Sequence, residues 1–245
     1  MQFKVGFRTD IGRKRTQNQD NGAAIPDLGL FMVSDGMGGH RGGETASATA
    51  VETITECLRK AEQDKNWEPE KTLVAAFHSA NHAIFNRSLH EPQLQGMGTT
   101  TTALLFKDKS LAIGHVGDSR CYFFRPNAIW QATRDHSLVQ EKLRAGLISR
   151  KDVKTDRMKN VITRSVGFEE NVNVEVYRME VQSGDSFLIC SDGLSGLVDD
   201  SKILEIVQKN LFEEGNAQKT VDELVATANT NGGDDNVTSV IVQVI

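Results

Sequence analysis

The stretch "TTALLFKDKSLAIGHVGDSRCYFF", Thr101 to Phe124, limits what this chain can fold into more than any other feature. It contains three apolar runs joined by turns. The first turn, Lys107 to Lys109, is far too short for the crossover that parallel neighbours need, so the strands on either side must be antiparallel. Strand-like runs fall at 3–8, 21–25, 29–34, 99–106, 110–117, 119–125, 172–180, 185–191 and 237–244. Helical periodicity covers 43–64, 69–89, 136–145, 200–212 and 217–229. Glu68-Pro69 suits the first turn of the second helix, and Gly146 suits the stop of the third. Runs of strands alternating with two blocks of helices indicate an α+β protein with helices layered outside antiparallel sheets, not a doubly wound parallel fold. No linker rich in Pro, Gly or Ser divides the chain, so a single domain over 1–245 is expected. Residues 146–165, "GLISRKDVKTDRMKNVITRS", are charged and weakly patterned, and are expected to form a mobile surface insertion beside the core.

At 245 residues, with 38% hydrophobic and 25% charged residues, the chain can bury a sizeable core. It has no apolar stretch long enough to span a bilayer, and its start, "MQFKVGFRTD", lacks the apolar centre of a signal peptide. The expectation is a cytoplasmic protein without a membrane partner. The formal net charge is −5 and the one dense basic cluster is "RKR" at 13–15, which argues against a nucleic-acid partner. Three widely spaced cysteines, Cys57, Cys121 and Cys190, suggest neither a disulfide framework nor a metal knuckle, and are expected to be small buried residues.

Two apolar runs end alike, "FMVSDG" at 31–36 and "FLICSDG" at 187–193. Asp-Gly after a strand usually marks a hairpin, which needs a partner strand immediately afterwards. Both sites lead instead into helical patterns, which puts Asp35 and Asp192 at strand ends ahead of helices. Asp118 follows "LAIGHVG", Asp235 precedes "NVTSVIVQV", and Asp20 closes "RTQNQD" before another strand. One such aspartate is ordinary turn chemistry. Several brought to one rim repel one another unless cations are bound there. Oxygen ligands without a His or Cys cage favour Mg²⁺ or Mn²⁺ over Zn²⁺. His78 and His82, at i, i+4, lack the Glu of HExxH and read as an ordinary helix face. Arg15 offers a planar fork for a phosphate, and aspartate-held metals with an arginine suit phosphoester cleavage. Competing phosphate motifs fail: "GGHRGGET" has Glu44 where a P-loop needs Lys, "GMGGHR" has Arg41 where the dinucleotide fingerprint needs Gly, and no cysteine is followed six positions later by Arg.

The blocks "GRKRTQNQD", "FMVSDGMGGHRGGETAS", "GMGTTTTALL", "IGHVGDSRCYFF", "RDHSLVQEKLRAGLIS", "NVITRSVG", "FLICSDGLSGLV" and "GGDDNVTSVIV", in this order over nearly the whole chain, closely resemble the metal-dependent Ser/Thr protein phosphatases of type 2C in their compact bacterial form. The resemblance implies a four-layer α-β-β-α sandwich, with two central antiparallel sheets flanked by helix pairs. It implies two catalytic Mn²⁺ or Mg²⁺ ions bridged by Asp35, with the Gly36 carbonyl on one and Asp192 and Asp235 completing the other. Asp118 and Asp192 would hold a third, looser ion. Asp20 would steady metal-bound waters, Arg15 would contact the substrate phosphate, and His40 would be the candidate proton donor to the leaving alkoxide. Residues 146–165 correspond to the family's flap. Gln19 departs from the pattern, since many members carry an acid beside Asp20. The activity so implied is removal of phosphate from Ser or Thr of proteins by direct attack of a metal-bridging hydroxide, in a monomer opposing a bacterial Ser/Thr kinase. A non-catalytic relative would have lost its carboxylates, whereas Asp35, Asp118, Asp192 and Asp235 are all present. A nuclease or cyclase would want a basic track or a base pocket that this acidic chain does not offer.

Overall fold

The computed structural model describes residues 1–153 and 155–245, with the side chains of His40 and Arg41 outside that description. Two sheets form the centre. The first runs β1 (Phe3–Asp10), β11 (Val237–Val244), β10 (Ser186–Cys190), β7 (Arg120–Arg125) and β8 (Ala128–Gln131). The second runs β2 (Asp20–Ile25), β3 (Leu30–Met37), β5 (Thr101–Lys107), β6 (Ser110–Val116) and β9 (Glu175–Glu180), with the short β4 (Gly98–Thr99) beside the end of β3. Every strand pairing is antiparallel. The turn between β5 and β6 closes through Asp108 in the left-handed region, as the short connection demands.

The strands read as unbroken apolar runs because both faces of each sheet are covered. On β3, Leu30 and Met32 pack toward α1 (Gly39–Ala61) and α2 (Pro69–His90), while Phe31 and Val33 point into the space between the sheets. On β10, Phe187 and Ile189 face that same space. Leu188 and Cys190 lie under α5 (Asp200–Val207) and α6 (Ala217–Thr230). Period-two alternation therefore yields three apolar layers from two sheets, the α-β-β-α sandwich expected. Helix α2 contributes Leu73, Ala76, Phe77, Ala80 and Ile84 along one face, at the spacing of a helical stripe. His78 and His82 lie on its exposed side.

Some local expectations differ from the structure. Helix α1 begins at Gly39, four residues earlier than its periodicity suggests, because the glycines of "GGHRGG" carry no apolar signal although they sit in the first turns. Strand β9 begins only at Glu175, since residues 172–174 do not pair with β6. The expected helix 200–212 is α-helical to Val207 and continues as a π turn, Gln208–Glu213. Strand β8, after the αL residue Asn127, and the short helix α4 (Asp192–Ser195) are too brief to leave a period. Cys121 and Cys190 are buried, but Cys57 is only half-buried. Helix α3 (Leu138–Arg144) ends with Gly146 in the left-handed region. Residues 146–165 then form turns with no strand or helix among the described residues. No helix among them is long and apolar enough to cross a membrane.

Candidate active site

The predicted carboxylates meet at one end of the sandwich because of strand register. Asp20, first residue of β2, is the direct cross-strand partner of Asp35 near the end of β3. The end of β3 is fastened by the threonine run that opens β5. The Asp35 N–H donates to Thr100 Oγ1 at 3.0 Å, and the Asp35 carbonyl accepts from Thr100 N and Thr99 Oγ1, both at 2.8 Å. Thr100 Oγ1 also bonds Ser119 Oγ at 2.7 Å, which ties β3 to the turn carrying Asp118.

The serines and glycines of the two "SDG" endings do separate jobs. Ser191 Oγ donates to Asp20 Oδ2 at 2.7 Å and accepts the Thr238 N–H at 3.0 Å, so it orients one carboxylate from the neighbouring sheet. A Cβ on Gly193 would lie 2.0 Å from the Asn236 carbonyl oxygen, and one on Gly36 would lie 2.0 Å from the Gly43 carbonyl oxygen of α1. Each glycine thus admits a close backbone approach that no other residue allows. Gly193 brings the Asp192 turn against the turn of Asp235, and Gly36 brings β3 against α1.

Arg15 and Gln19 are placed by Asn236, whose amide donates to the carbonyls of Ile11 and Gln17 and whose Oδ1 accepts the Gln19 N–H at 2.8 Å. The Gln19 side chain donates to the Gly39 carbonyl at 2.7 Å, while its own carbonyl accepts from Ser47 Oγ and Gly36 N. At this position the neutral amide braces the glycine-rich entry to α1. Arg15 Nη2 meets Asp235 Oδ2 at 2.6 Å. Arg15, Asp35, Gly36, Asp192 and Asp235 all line one cleft of about 530 Å³. A neighbouring cavity of about 190 Å³ is bordered by Asp118, Asp192, Lys159 and the fork-to-fork pair of Arg120 with Asp135. The side chain of His40 lies outside the described residues.

Burial and mutual repulsion dominate the electrostatics. Burial pushes the Asp20 carboxyl up to about 7, and the Asp192 and Asp235 charges add to the rise against the bonds from Ser191 and Thr238. Asp118 is pushed up to about 8, by burial and by the charges of Asp192 and Asp135. Asp35 is held well above the usual range by burial and then by Asp20, Asp192, Asp118 and Asp235 together. Asp192 is raised by burial and by Asp235. Asp35 and Asp192 each retain a partly exposed edge toward the cleft, although protein surrounds their carboxyls.

Three carboxylate oxygens, Oδ1 of Asp20, Asp118 and Asp192, are buried without a hydrogen-bond partner. Such orphans are rare and costly in a folded protein. A set of acceptor-only oxygens that raise one another's pKa values fits hard divalent cations. No three His, Cys, Asp or Glu side chains among the described residues close into a single ready cage. The two observations agree for small hard ions, which keep several waters and take only one or two carboxylates each. Sequence reasoning missed Thr100, Ser191, Asn236 and the Arg120–Asp135 pair. Their only signal was their place inside the quoted blocks, because their task is to hold other residues.

The family model of Protein phosphatase 2C matches residues 12–238. The serine/threonine phosphatase stp of Listeria monocytogenes is 36% identical over 246 residues, covering 97% of this chain and 94% of that protein. Among solved structures, the serine/threonine phosphatase PstP/Ppp of Mycobacterium tuberculosis superposes with a TM-score of 0.90 at 33% identity, over 100% of this chain and 99% of that one. The catalytic domain of PstP, solved in complex with 2 manganese ions, superposes with a TM-score of 0.87 at 34% identity, over 99% and 98% of the two chains. Sequence similarity covers 97% of the chain and the fold all of it, and the chain belongs to the protein phosphatase 2C family.

Proposed function

We propose that this chain is a metal-dependent protein phosphatase that removes phosphate from phosphoserine and phosphothreonine of proteins. The observation that carries this reading is the set of buried, unpartnered carboxylate oxygens from Asp20, Asp118 and Asp192, with Asp192 lining both the cleft that holds Asp35 and Arg15 and the cavity that Asp118 borders, and Asp20 paired across the strands with Asp35. Asp35 would bridge two divalent ions, manganese or magnesium, with the Gly36 carbonyl on one and Asp192 and Asp235 on the other. Asp118 with Asp192 would hold a third. When bound, the ions supply an acidified water and neutralise the charge that develops on the phosphoryl group.

The remaining chemistry belongs to the chain's own groups. Asp20, oriented by Ser191, accepts hydrogen bonds from water at the rim. Arg15 rests on Asp235 at 2.6 Å, and an incoming phosphate competes for its fork, so the arginine moves between two anionic partners without leaving the cleft. Gln19 and Asn236 keep the Arg15 segment against the ligand turns. His40, in the first turn of α1, is the proposed proton donor to the leaving alkoxide, a role that His40→Asn would test. We also propose that the protein acts in the cytoplasm as a monomer, opposite a Ser/Thr kinase; three free cysteines suit that reducing compartment. The direct test is hydrolysis of a phosphothreonine peptide with Mn²⁺, with EDTA, and by Asp192→Asn with Mn²⁺. Metal-dependent activity that collapses in the variant supports the reading. Folded wild-type protein without metal-dependent activity overturns it.

A further inference from the structure

The carboxylate rim and the insertion beside it have opposite charge. Residues 146–165 contain six basic residues and two acids, a surplus of four positive charges in a chain whose formal net charge is −5, so the remaining residues carry −9. The two acids are already engaged. Asp152 accepts from the N–H and hydroxyl of Ser149 at 2.9 and 2.6 Å, and Asp156 from Lys142 at 3.0 Å and the Met158 N–H at 2.7 Å. Among the described residues, Arg150, Lys151, Arg157 and Lys159 are exposed and have no ion-pair partner.

The segment is held at the site by its far end. Leu138 N donates to the Val161 carbonyl and Thr163 N to the His136 carbonyl, each at 2.8 Å. Lys159 borders the smaller cavity with Asp118 and Asp192, and Ile162 borders the cleft with Arg15 and Asp35. A peptide whose phosphoresidue sits in the cleft therefore has flanking residues within reach of Lys159, and Val153, which borders the same smaller cavity, leads the segment back to Lys151 and Arg150. The rest of the chain carries a net negative charge that disfavours the same flanks. Unpaired exposed cations of one sign steer and orient a complementary partner.

We propose that residues 146–165 select phosphopeptide segments with additional anionic groups, carboxylates or a second phosphate, beside the scissile phosphoresidue. This rests on the phosphatase reading and adds a substrate class to it. The selection acts on KM and weakens with salt, because the cations are exposed and the screening length falls to about 3 Å at 1 M salt.

Three phosphothreonine peptides of equal length test this, with neutral flanks, with Asp and Glu flanks, and with a second phosphothreonine. With Mn²⁺ at low salt, the expected kcat/KM for the anionic peptides is about tenfold above the neutral one, carried by KM and largely lost at about 1 M NaCl. Arg150→Glu with Lys151→Glu and Arg157→Glu removes that preference. Arg150→Lys with Arg157→Lys keeps it, and thermal unfolding reports whether each variant folds. Preference for the doubly phosphorylated peptide alone identifies phosphate as the source; equal gains for both identify negative charge of either kind. Metal-dependent hydrolysis of all three peptides at equal kcat/KM overturns the inference and leaves the phosphatase reading standing. Preference that survives charge reversal also overturns it. Failure to hydrolyse any of them overturns the phosphatase reading.

Discussion

The carboxylate rim and residues 146–165 border the same cleft, yet they are built on opposite principles. At the rim, positions are set by strand register, close backbone contacts and short side-chain clamps. Cross-strand register sets Asp35 opposite Asp20, Thr100 clamps the end of β3, and Gly193 lets two turns touch. The rim is buried, anionic and electrostatically unsatisfied by protein alone. The insertion has no strand or helix among its described residues, is mostly exposed, and leaves Arg150, Lys151, Arg157 and Lys159 without an ion-pair partner, while Arg164 meets Glu175. The contrast separates two tasks. Holding small ions demands placement to a fraction of an ångström, which only sheets and close backbone contacts supply. Reading charge along a variable peptide demands reach and tolerates imprecision.

The largest expected effect that would break this comparison comes from Asp35→Asn. With Mn²⁺, kcat on a phosphothreonine peptide should fall by about 10³-fold or more. The metal-free variant should unfold at the same temperature as wild type or higher, because one of several mutually repelling buried charges is gone. A variant that loses activity and stability together would mean that Asp35 is structural.

Gly193→Ala comes next. Its methyl would press on the Asn236 carbonyl, so the turns of Asp192 and Asp235 must separate, at about 1–3 kcal/mol of stability. Activity should drop far more than that loss of folded protein explains. Equal stability and full activity would show that the close approach is dispensable.

Smaller and sign-specific is the pH dependence of metal-free protein. Asp20 at about 7 and Asp118 at about 8 are raised above the ordinary carboxylate value. Between about pH 4 and pH 8 the folded state therefore holds protons that the unfolded state has released, and stability falls as pH rises. Mn²⁺ replaces those protons, so the rise in Tm on adding it should be larger at pH 8 than at pH 5. A metal-induced shift that is the same at both pH values would argue against ion binding beside these two carboxyls.

The smallest effect is on the insertion. Raising NaCl from about 0.05 to 0.5 M should change hydrolysis of p-nitrophenyl phosphate by no more than about twofold, since that substrate touches only the cleft. A small substrate as salt-sensitive as the anionic peptides would place the charge effect at the rim.

The antiparallel layering, the helix blocks, the family and the five aspartates could all be read from the chain, because each leaves a local trace: a short turn, a period, or an acid where an apolar run stops. The glycine start of α1, the four-residue β8 and the one-turn α4 left none. Ser191, Thr100 and Asn236 were visible as letters but not as parts, since a serine that bonds a carboxylate 171 positions away looks like any other serine. The surplus of positive charge in 146–165 was countable in the sequence. That Asp152 and Asp156 were already engaged locally, leaving four described cations unpaired, with Lys159 at the edge of the smaller cavity, was not.

By itself, then, the sequence determined which chemistry was available: acceptor oxygens at strand ends, a forked cation near the N-terminus, and alternation that buries both faces of two sheets. Tertiary structure alone decided how those groups met. Convergence depends on register between strands distant in the chain and on backbone contacts with no room for a Cβ, and burial at that meeting point is what turns ordinary aspartates into a site that demands cations.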